Sequence, residues 1–187
     1  ALSVVQVLDE LNLKPKRGLV VAGTGNNGGD GLALGRLMAE RGIQVTFYME
    51  GSPERMTQET TTQRKILENS GFSIQSKLED GEYDMVIDAL FGIGLSREIR
   101  GSCREAVERI NLLGSRGALV CSLDIPSGIC ADDGRVLGCG VCADITVAFA
   151  YAKRGHLLYP GREYTGRLFV KDIGITEKSF GDRKPGA

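Results

Sequence analysis

The chain has 187 residues, of which 42% are hydrophobic, 6% are aromatic and none is tryptophan, which is enough to bury the core of a single domain. Its 23 basic and 24 acidic side chains give a formal net charge of −1, so bulk electrostatics would recruit neither nucleic acid nor an anionic membrane. No apolar run reaches the roughly 20 residues of a membrane span and no signal peptide opens the sequence, so we expect a soluble cytoplasmic protein, or an organellar one in a eukaryote.

Helical and extended patterns alternate along the chain. In chain order they predict a helix at 3–13, a strand at 18–22, a glycine-rich loop at 23–31, a helix at 31–42, a strand at 43–49, a helix at 53–70, strands at 72–75 and 83–90, a helix at 102–113, and strands at 118–123, 143–150 and 166–175. Gly42 and Gly71 are expected to end their helices, and Pro53 to lie in the first turn of its own.

This alternation predicts an α/β fold, a three-layer α/β/α sandwich around a Rossmann-like, mostly parallel sheet. The last two strands have no long helix between them, which suggests a departure from the parallel arrangement at one edge. The domain is expected to cover residues 1–175, and the polar residues 176–187 to form a tail or linker.

The candidate site lies where strands end, because ligands of open α/β sheets bind at the carboxyl ends of the strands. The strand at 18–22 ends in GTGNNGGDG (23–31), a composition that no core-packing argument requires. Asp88 follows the apolar run of the strand at 83–90, and Asp124 follows the strand at 118–123 with Ser127 close behind. We expect these groups to face one crevice, although loop aspartates and serines can equally be turn formers or helix caps.

Two ligand classes fit the glycine-rich loop. GTGNNG satisfies the dinucleotide-binding fingerprint, with Glu50 at the end of the next strand placed for a ribose hydroxyl. The additional Asn and Asp side chains offer oxygens that could instead hold a cation or a sugar. A redox nicotinamide site and a different phosphate-bearing ligand therefore both remain open.

Other polar residues have weaker signals. Arg97 and Arg100 follow the flexible FGIGL and could belong to a mobile phosphate-contacting lid, and Lys153 and Arg154 could meet phosphates or merely end a strand. His156, the single histidine, is expected to pack rather than to catalyse. The cysteines number five, and this odd count without a secretory context favours reduced thiols. Zinc bound by the pair Cys139 and Cys142 with Cys130 and His156 is a weak alternative to small residues packed in a loop.

Several ordered motifs resemble the YjeF N-terminal domain family. They are GTGNNGGDG (23–31), DALFGIGL (88–95), DIPSG (124–128), ADITVAFAYAKRG with the later PG and G (143–166), and VKDIGI (170–175). Members of the family, which include the epimerase domains of bifunctional NAD(P)H-hydrate repair enzymes and apolipoprotein A-I-binding protein, are NAD(P)HX epimerases. They interconvert the R and S forms of hydrated NADH or NADPH, so that an S-specific dehydratase, separate or on the same polypeptide, can restore the cofactor.

The resemblance implies roles for individual residues. Asp124 would contact the hydrated nicotinamide and act as the catalytic acid/base. Potassium would be bound by Asn27, Asp88 and Ser127 with backbone carbonyl groups, a set of hard oxygen ligands. The remaining substrate contacts, with the later segment wrapping the phosphates, would be Asn26, Asn27, Gly28, Gly29, Asp30, Gly92, Ile93, Gly94, Leu95, Ser96, Arg97 and Glu98.

The sequence departs from the family pattern in two places. Its loop begins GTG where the family more often has GPG, and its N-terminal helical segment is shorter than usual. A homodimer is compatible with such a helix but is not decided by it. Preference for NADHX or NADPHX is also undecided. An NAD-dependent oxidoreductase of Rossmann type and a non-catalytic YjeF-type binding or dimerisation module are the alternative functions.

Overall fold

Strands and helices alternate along the chain as the sequence pattern predicts. The computed structural model describes residues 1–174. Its elements in chain order are α1 (Leu2–Glu10), β1 (Arg17–Ala22), α2 (Asn26–Glu40), β2 (Gln44–Met49), a 3₁₀ turn (Pro53–Arg55), α3 (Gln58–Asn69), β3 (Ile74–Gln75), β4 (Met85–Ala89), α4 (Ser102–Ser115), β5 (Leu119–Leu123), β6 (Ile145–Phe149), α5 (Arg154–Leu157), α6 (Gly161–Thr165) and β7 (Arg167–Lys171).

The strands form one seven-stranded sheet in the order β3-β2-β1-β4-β5-β6-β7, and every neighbouring pair is parallel. The chain therefore builds the sheet outward in two directions from β1, first through β2 and β3 and then through β4 to β7. The point between β1 and β4 is where the direction changes, and ligand crevices of open α/β sheets form at such points.

Both faces of the sheet are covered, which confirms the predicted three layers. On one face Val4 of α1, Leu34 of α2 and Leu67 of α3 belong to the same buried cluster as Ile87 of β4. On the other face α4 packs Val107 and its neighbours onto the sheet. The central strands are accordingly apolar on both sides, as parallel strands buried between helices require.

Three predicted elements need correction. The second helix begins at Asn26 and not at residue 31, so most of the predicted glycine-rich loop is helical. Pro53 lies in a short 3₁₀ turn, and α3 begins only at Gln58, where the Thr57 side chain accepts a hydrogen bond from the Thr60 amide. The last strand does not depart from the parallel arrangement, because α5 and α6 supply a short crossover that returns β7 parallel to β6.

Other predicted boundaries agree with the structure. Gly42 and Gly71 follow the ends of α2 and α3 with positive φ angles of 85° and 86°, the conformation that glycine adopts most easily.

The predicted domain end at residue 175 and the tail at 176–187 lie outside the described residues. Within residues 1–174, no helix is both long and apolar enough to cross a membrane.

Candidate active site

Asp88 is the most deeply buried acidic group at the carboxyl end of the sheet. It lies in β4 opposite Ser122 of β5, and its side chain is inaccessible to solvent. Its carboxylate accepts hydrogen bonds from the Ser127 hydroxyl at 2.6 Å, the Ser127 amide at 2.9 Å, the Ser122 hydroxyl at 2.7 Å and the Leu90 amide at 3.3 Å. Burial raises the pKa of Asp88, and these hydrogen bonds oppose the rise.

Asn27 joins three loops at the same edge of the sheet. It lies in the first turn of α2, and its amide group donates to the Phe91 carbonyl at 2.9 Å and to the Leu123 carbonyl at 3.3 Å. The Ser127 hydroxyl lies 3.3 Å from the same Phe91 carbonyl. The structure thus brings Asn27, Asp88 and Ser127 into one oxygen-rich cluster.

The glycines at the start of α2 have a packing role that the sequence interpretation missed. A Cβ atom on Gly28 would lie 1.8 Å from the Gly23 carbonyl oxygen, and one on Gly29 would lie 2.9 Å from the Thr60 hydroxyl. A Cβ atom on Gly31 would lie 2.4 Å from Ala89 Cβ. Close approach of the helix to β1, β4 and α3 therefore requires these glycines, whereas Asn26 beside them is exposed to solvent.

Asp124 follows β5 directly and has an unusual backbone conformation. Its φ angle is +65°, a region that non-glycine residues rarely occupy and that persists only when the surrounding structure enforces it. Its Oδ1 atom accepts from the Phe149 amide at 3.3 Å and is paired with the Lys153 ammonium group. The side chains of this ion pair are only 13% and 17% exposed, so the charges are largely shielded from solvent.

Asp30 lies near Asp124 and is electrostatically coupled to it. Burial raises the pKa of Asp30, and the Asp124 carboxylate raises it further. The crevice therefore contains one ion-paired carboxylate and a second, half-buried carboxyl group that is easier to protonate than an ordinary aspartate.

The segment from Gly92 to Glu98 borders the cluster but stays open to solvent. Gly92 lies beside Asn27, since a Cβ atom added to Gly92 would lie 3.4 Å from Asn27 Cβ. Ile93, Gly94, Ser96, Arg97 and Glu98 are exposed, and Glu98 pairs with Arg100 at 2.9 Å. This exposure leaves the segment accessible to a ligand in the crevice.

Glu50 does not have the role that the dinucleotide fingerprint assigned to it. Its buried carboxylate is hydrogen-bonded to the Tyr48 hydroxyl, to the Ser102 hydroxyl at 2.5 Å and to the Cys103 thiol at 3.9 Å. Burial raises the pKa of Tyr48, and the neighbouring Glu50 raises it further. Because this carboxylate is buried and its oxygens are held by protein groups, Glu50 is not exposed to a ribose hydroxyl.

His156 is buried, and both of its ring nitrogens are occupied by backbone groups. Nδ1 accepts from the Lys153 amide at 2.9 Å, and Nε2 lies 2.8 Å from the Asp124 carbonyl oxygen. It therefore packs, as predicted. In the described part of the chain, no group of three or more His, Cys, Asp or Glu side chains is arranged to hold a metal ion. The zinc alternative has no ligand set there.

The sequence interpretation missed the roles of Lys153, which pairs with Asp124, and of Ser122, which donates a hydrogen bond to Asp88. Ser122 had a detectable signal, because it is the one hydroxyl group in the apolar strand LVCSL and parallel registry places it beside Asp88. The sequence marked Lys153 only as a possible phosphate contact, because its pairing with Asp124 depends on the turn after β6, where Ala150 also has a positive φ of 62°.

Comparisons with known proteins identify the family of the chain. The family model described as "YjeF-related protein N-terminus" matches residues 1–155. An NAD(P)H-hydrate epimerase of Levilactobacillus brevis is 42% identical over 85% of this chain and 73% of its own, and one of Oenococcus oeni is 40% identical over 95% and 84%. A bifunctional NAD(P)H-hydrate repair enzyme Nnr of Thermofilum pendens is 39% identical over 97% of this chain, which spans 36% of that longer protein.

The fold is also found in a solved structure. The crystal structure of the yeast protein ynu0 superimposes with a TM-score of 0.78 at 23% identity, covering 99% of this chain and 82% of the yeast chain. That similarity supports the α/β architecture, and the family model with the more similar relatives supports the assignment. The chain belongs to the YjeF-related protein N-terminus family.

Proposed function

We propose that this protein is an NAD(P)H-hydrate epimerase, an isomerase that interconverts the R and S forms of hydrated NADH or NADPH in cofactor repair. The observation that carries the proposal is that relatives named for this activity match 85–95% of the chain at about 40% identity. The crevice also contains an ionisable group, Asp124, that can serve as the acid/base of such a reaction.

Asp124 is the proposed catalytic acid/base. Inversion at C6 of the hydrated nicotinamide ring requires either loss and return of the hydroxyl group or opening and closure of the ring, and both routes need proton transfer. Both side-chain hydrogen bonds of Asp124 to described residues go to Oδ1, which leaves Oδ2 to meet the substrate hydroxyl. The Lys153 ammonium group fixes the carboxylate plane during this transfer.

The remaining predicted contacts are proposed to bind the rest of the substrate. Exposed amide groups at the start of α2, near Asn26, favour negative charge through the helix dipole. The open segment from Gly92 to Glu98 begins beside Asn27 in the first turn of α2 and is proposed to wrap the phosphates. Asp30, beside Asp124, would contact the hydrated ring.

The oxygen cluster fits a monovalent cation. A cation needs several oxygen ligands, and Asp88, the Ser127 hydroxyl and the Phe91 carbonyl lie around the Asn27 amide. The Asn27 NH₂ group donates to two carbonyl oxygens, whose partial negative charge would also attract a cation. Rotation of the side-chain amide would turn its Oδ1 atom toward that cation as a further ligand. A single carboxylate among neutral oxygens suits potassium better than a divalent or transition metal ion. Bound there, potassium would fix the three loops and offset phosphate charge.

A dehydratase specific for the S form is the proposed functional partner, since epimerisation is useful only if the S form is consumed. The Thermofilum pendens relative is named as a bifunctional repair enzyme, which suggests that the partner activity can share a polypeptide with a domain of this kind. A cytoplasmic location and a homodimer remain predictions from the sequence.

The decisive experiment couples the protein to an S-specific dehydratase and follows consumption of R-NADHX. We expect the wild-type protein to accelerate this consumption and Asp124→Asn to lower kcat by about 10² to 10⁴-fold, the usual contribution of general acid/base catalysis. Asp132→Asn, which changes an exposed aspartate with no proposed role in the site, is the matched control and should be fully active. Wild-type turnover by Asp124→Asn would rule out its catalytic role.

The same assay separates the alternative functions. A Rossmann-type oxidoreductase would bind unhydrated NAD, but the engagement of Glu50 with Tyr48 and Ser102 removes the ribose ligand on which that alternative depended. A non-catalytic binding or dimerisation module would leave R-NADHX untouched.

A further inference from the structure

The left-handed backbone of Asp124 needs an explanation from its surroundings. A non-glycine residue at φ +65° is strained, and the strain is tolerated only where other contacts hold it. On its amino side, the Asp124 amide donates to the Val147 carbonyl at 2.8 Å, which continues the sheet. On its carbonyl side, the partner is the imidazole of His156.

The hydrogen bonds of His156 define its tautomer. The Lys153 amide is a donor, so Nδ1, 2.9 Å away, must be an acceptor without a proton. In a neutral imidazole the proton then resides on Nε2, which donates to the Asp124 carbonyl at 2.8 Å. Burial favours this neutral form, because it lowers the pKa of the His156 imidazole.

His156 and Lys153 together close a ring of contacts around Asp124. The backbone of Lys153 is fixed by His156 Nδ1, while its ammonium group binds Asp124 Oδ1 and, at 3.1 Å, the Phe149 carbonyl. Gly155 between them packs tightly, since a Cβ there would lie 2.2 Å from the Cys130 carbonyl oxygen. The main chain of Asp124 and the cation that orients its side chain are therefore set by the same imidazole.

We propose that His156 is a positioning residue for the epimerisation, whose Nε2–H tautomer locks the Asp124 backbone and the start of α5 so that Lys153 holds Oδ1 and Oδ2 faces the substrate. This inference rests on the proposed function for the reaction that it serves. His156 does not touch the substrate, and its effect reaches the chemistry through the orientation of Asp124.

The kinetic test compares two substitutions of His156, each of which can keep only one of its two hydrogen bonds, to the Lys153 amide or to the Asp124 carbonyl. In His156→Gln the new side-chain amide can donate to the Asp124 carbonyl, whereas the shorter side chain in His156→Asn can accept from the Lys153 amide but cannot reach Asp124. We expect His156→Asn to lower kcat by about 10²-fold with KM close to the wild-type value, the signature of a misplaced catalytic group. We expect His156→Gln to recover most of the lost rate.

Leu157→Asn is the matched control, because it changes an exposed residue of the same short helix and should leave kcat unchanged. All rates are expressed per folded molecule, determined by circular dichroism. An unchanged kcat in His156→Asn, or a loss that merely follows the folded fraction, would mean that His156 is structural only and would overturn the proposal.

A second measurement does not depend on activity. His156 is the single histidine of the sequence, so ¹⁵N labelling of histidine gives one imidazole to observe by NMR. We expect a protonated Nε2 and an unprotonated Nδ1 near neutral pH, and the opposite tautomer would contradict the link to Asp124. If the wild-type protein failed to epimerise R-NADHX, the proposed function would fall, and the tautomer would still decide whether the link exists.

Discussion

At the residue scale, the neutral imidazole of His156 makes stability depend on pH. Burial lowers the pKa of His156 in the folded protein, with the neighbouring Lys153 charge adding to the effect and the Asp124 carbonyl opposing it. Between that lowered value and the ordinary value of about 6.5, the unfolded chain binds more protons than the folded one. The free energy of unfolding therefore falls as the pH drops below the unfolded pKa.

We expect this component to contribute a slope of at most about 1.4 kcal/mol per pH unit, the limit for one proton. Urea unfolding from neutral to mildly acidic pH would measure it. His156→Gln lacks the titrating group, so the stability of the wild type relative to this variant should shrink on acidification. The raised pKa values of Asp30 and Asp88 instead increase the free energy of unfolding as the pH falls. Both residues are present in the wild type and in the variant, so their effect cancels in the comparison. Parallel curves for the two proteins would contradict the prediction.

At the scale of elements, the junction between β1 and α2 depends on a backbone approach that no side chain could enter. A Cβ on Gly28 would overlap the Gly23 carbonyl, whereas a Cβ on Gly25 meets no heavy atom within 4 Å. Gly28→Ala should lower the free energy of unfolding by about 3 kcal/mol, because the helix must move away from β1. Urea denaturation at one pH would measure this loss.

Gly25→Ala is the control three residues earlier, and as a poorer helix cap it should cost only about 0.5 to 1 kcal/mol. Equal stability losses in Gly28→Ala and Gly25→Ala would mean that the loss reflects backbone flexibility and not close packing.

The same junction shows why some element boundaries could not be predicted. Asn and Gly have low intrinsic helix propensity, so the sequence placed the start of α2 after them. Tertiary packing decides otherwise, since Gly28, Gly29 and Gly31 let the helix lie against its neighbours. Thr57 was the better signal for the start of α3, because its side chain caps the helix. The prediction instead started the helix at Pro53, which lies in the preceding 3₁₀ turn. For β7, the absence of a long helix suggested a change of direction that two short helices make unnecessary.

At the scale of the whole molecule, the crevice was predictable because it follows from topology. Parallel neighbours place the ends of β1, β4 and β5 at one edge, so the expected meeting of the glycine-rich loop, Asp88, Asp124 and Ser127 followed from the parallel arrangement. The choice of Asn27 within that loop came from the family resemblance. The pairing of Asp124 with Lys153 needed the path of the chain after β6, which periodicity does not encode. Glu50 shows the opposite case. It fits the dinucleotide-binding motif in the sequence, but in the fold its carboxylate is hydrogen-bonded to Tyr48 and Ser102 and does not have the ribose-binding role that the motif assigns.

A cation that joins three loops should stabilise the entire fold. If potassium binds the folded state alone, the free energy of unfolding rises by about 2.7 kcal/mol when potassium is present at one hundred times its dissociation constant. Thermal unfolding in potassium chloride and in tetramethylammonium chloride at equal ionic strength would reveal the difference, because the larger ion cannot enter the oxygen cluster.

Ser127→Ala serves as the comparison for this stabilisation. It removes one proposed ligand, so its unfolding temperature should respond less to potassium than that of the wild type. An identical response of the wild-type protein to both salts would contradict a potassium site at Asn27, Asp88 and Ser127.

The position of β1 inside the sheet, between β2 and β4, links the acquisition of activity to the last steps of folding. Gly18 in β1 pairs with Met85 in β4, and the two strands between them in sequence, β2 and β3, lie on the other side of β1. The site then gathers groups from Asn27 to His156, so no short stretch of the nascent chain contains it. Such non-local pairing carries a high contact order and forms slowly. A partly folded intermediate would therefore lack the arrangement around Asp124, and regain of activity during refolding should coincide with completion of the central strands.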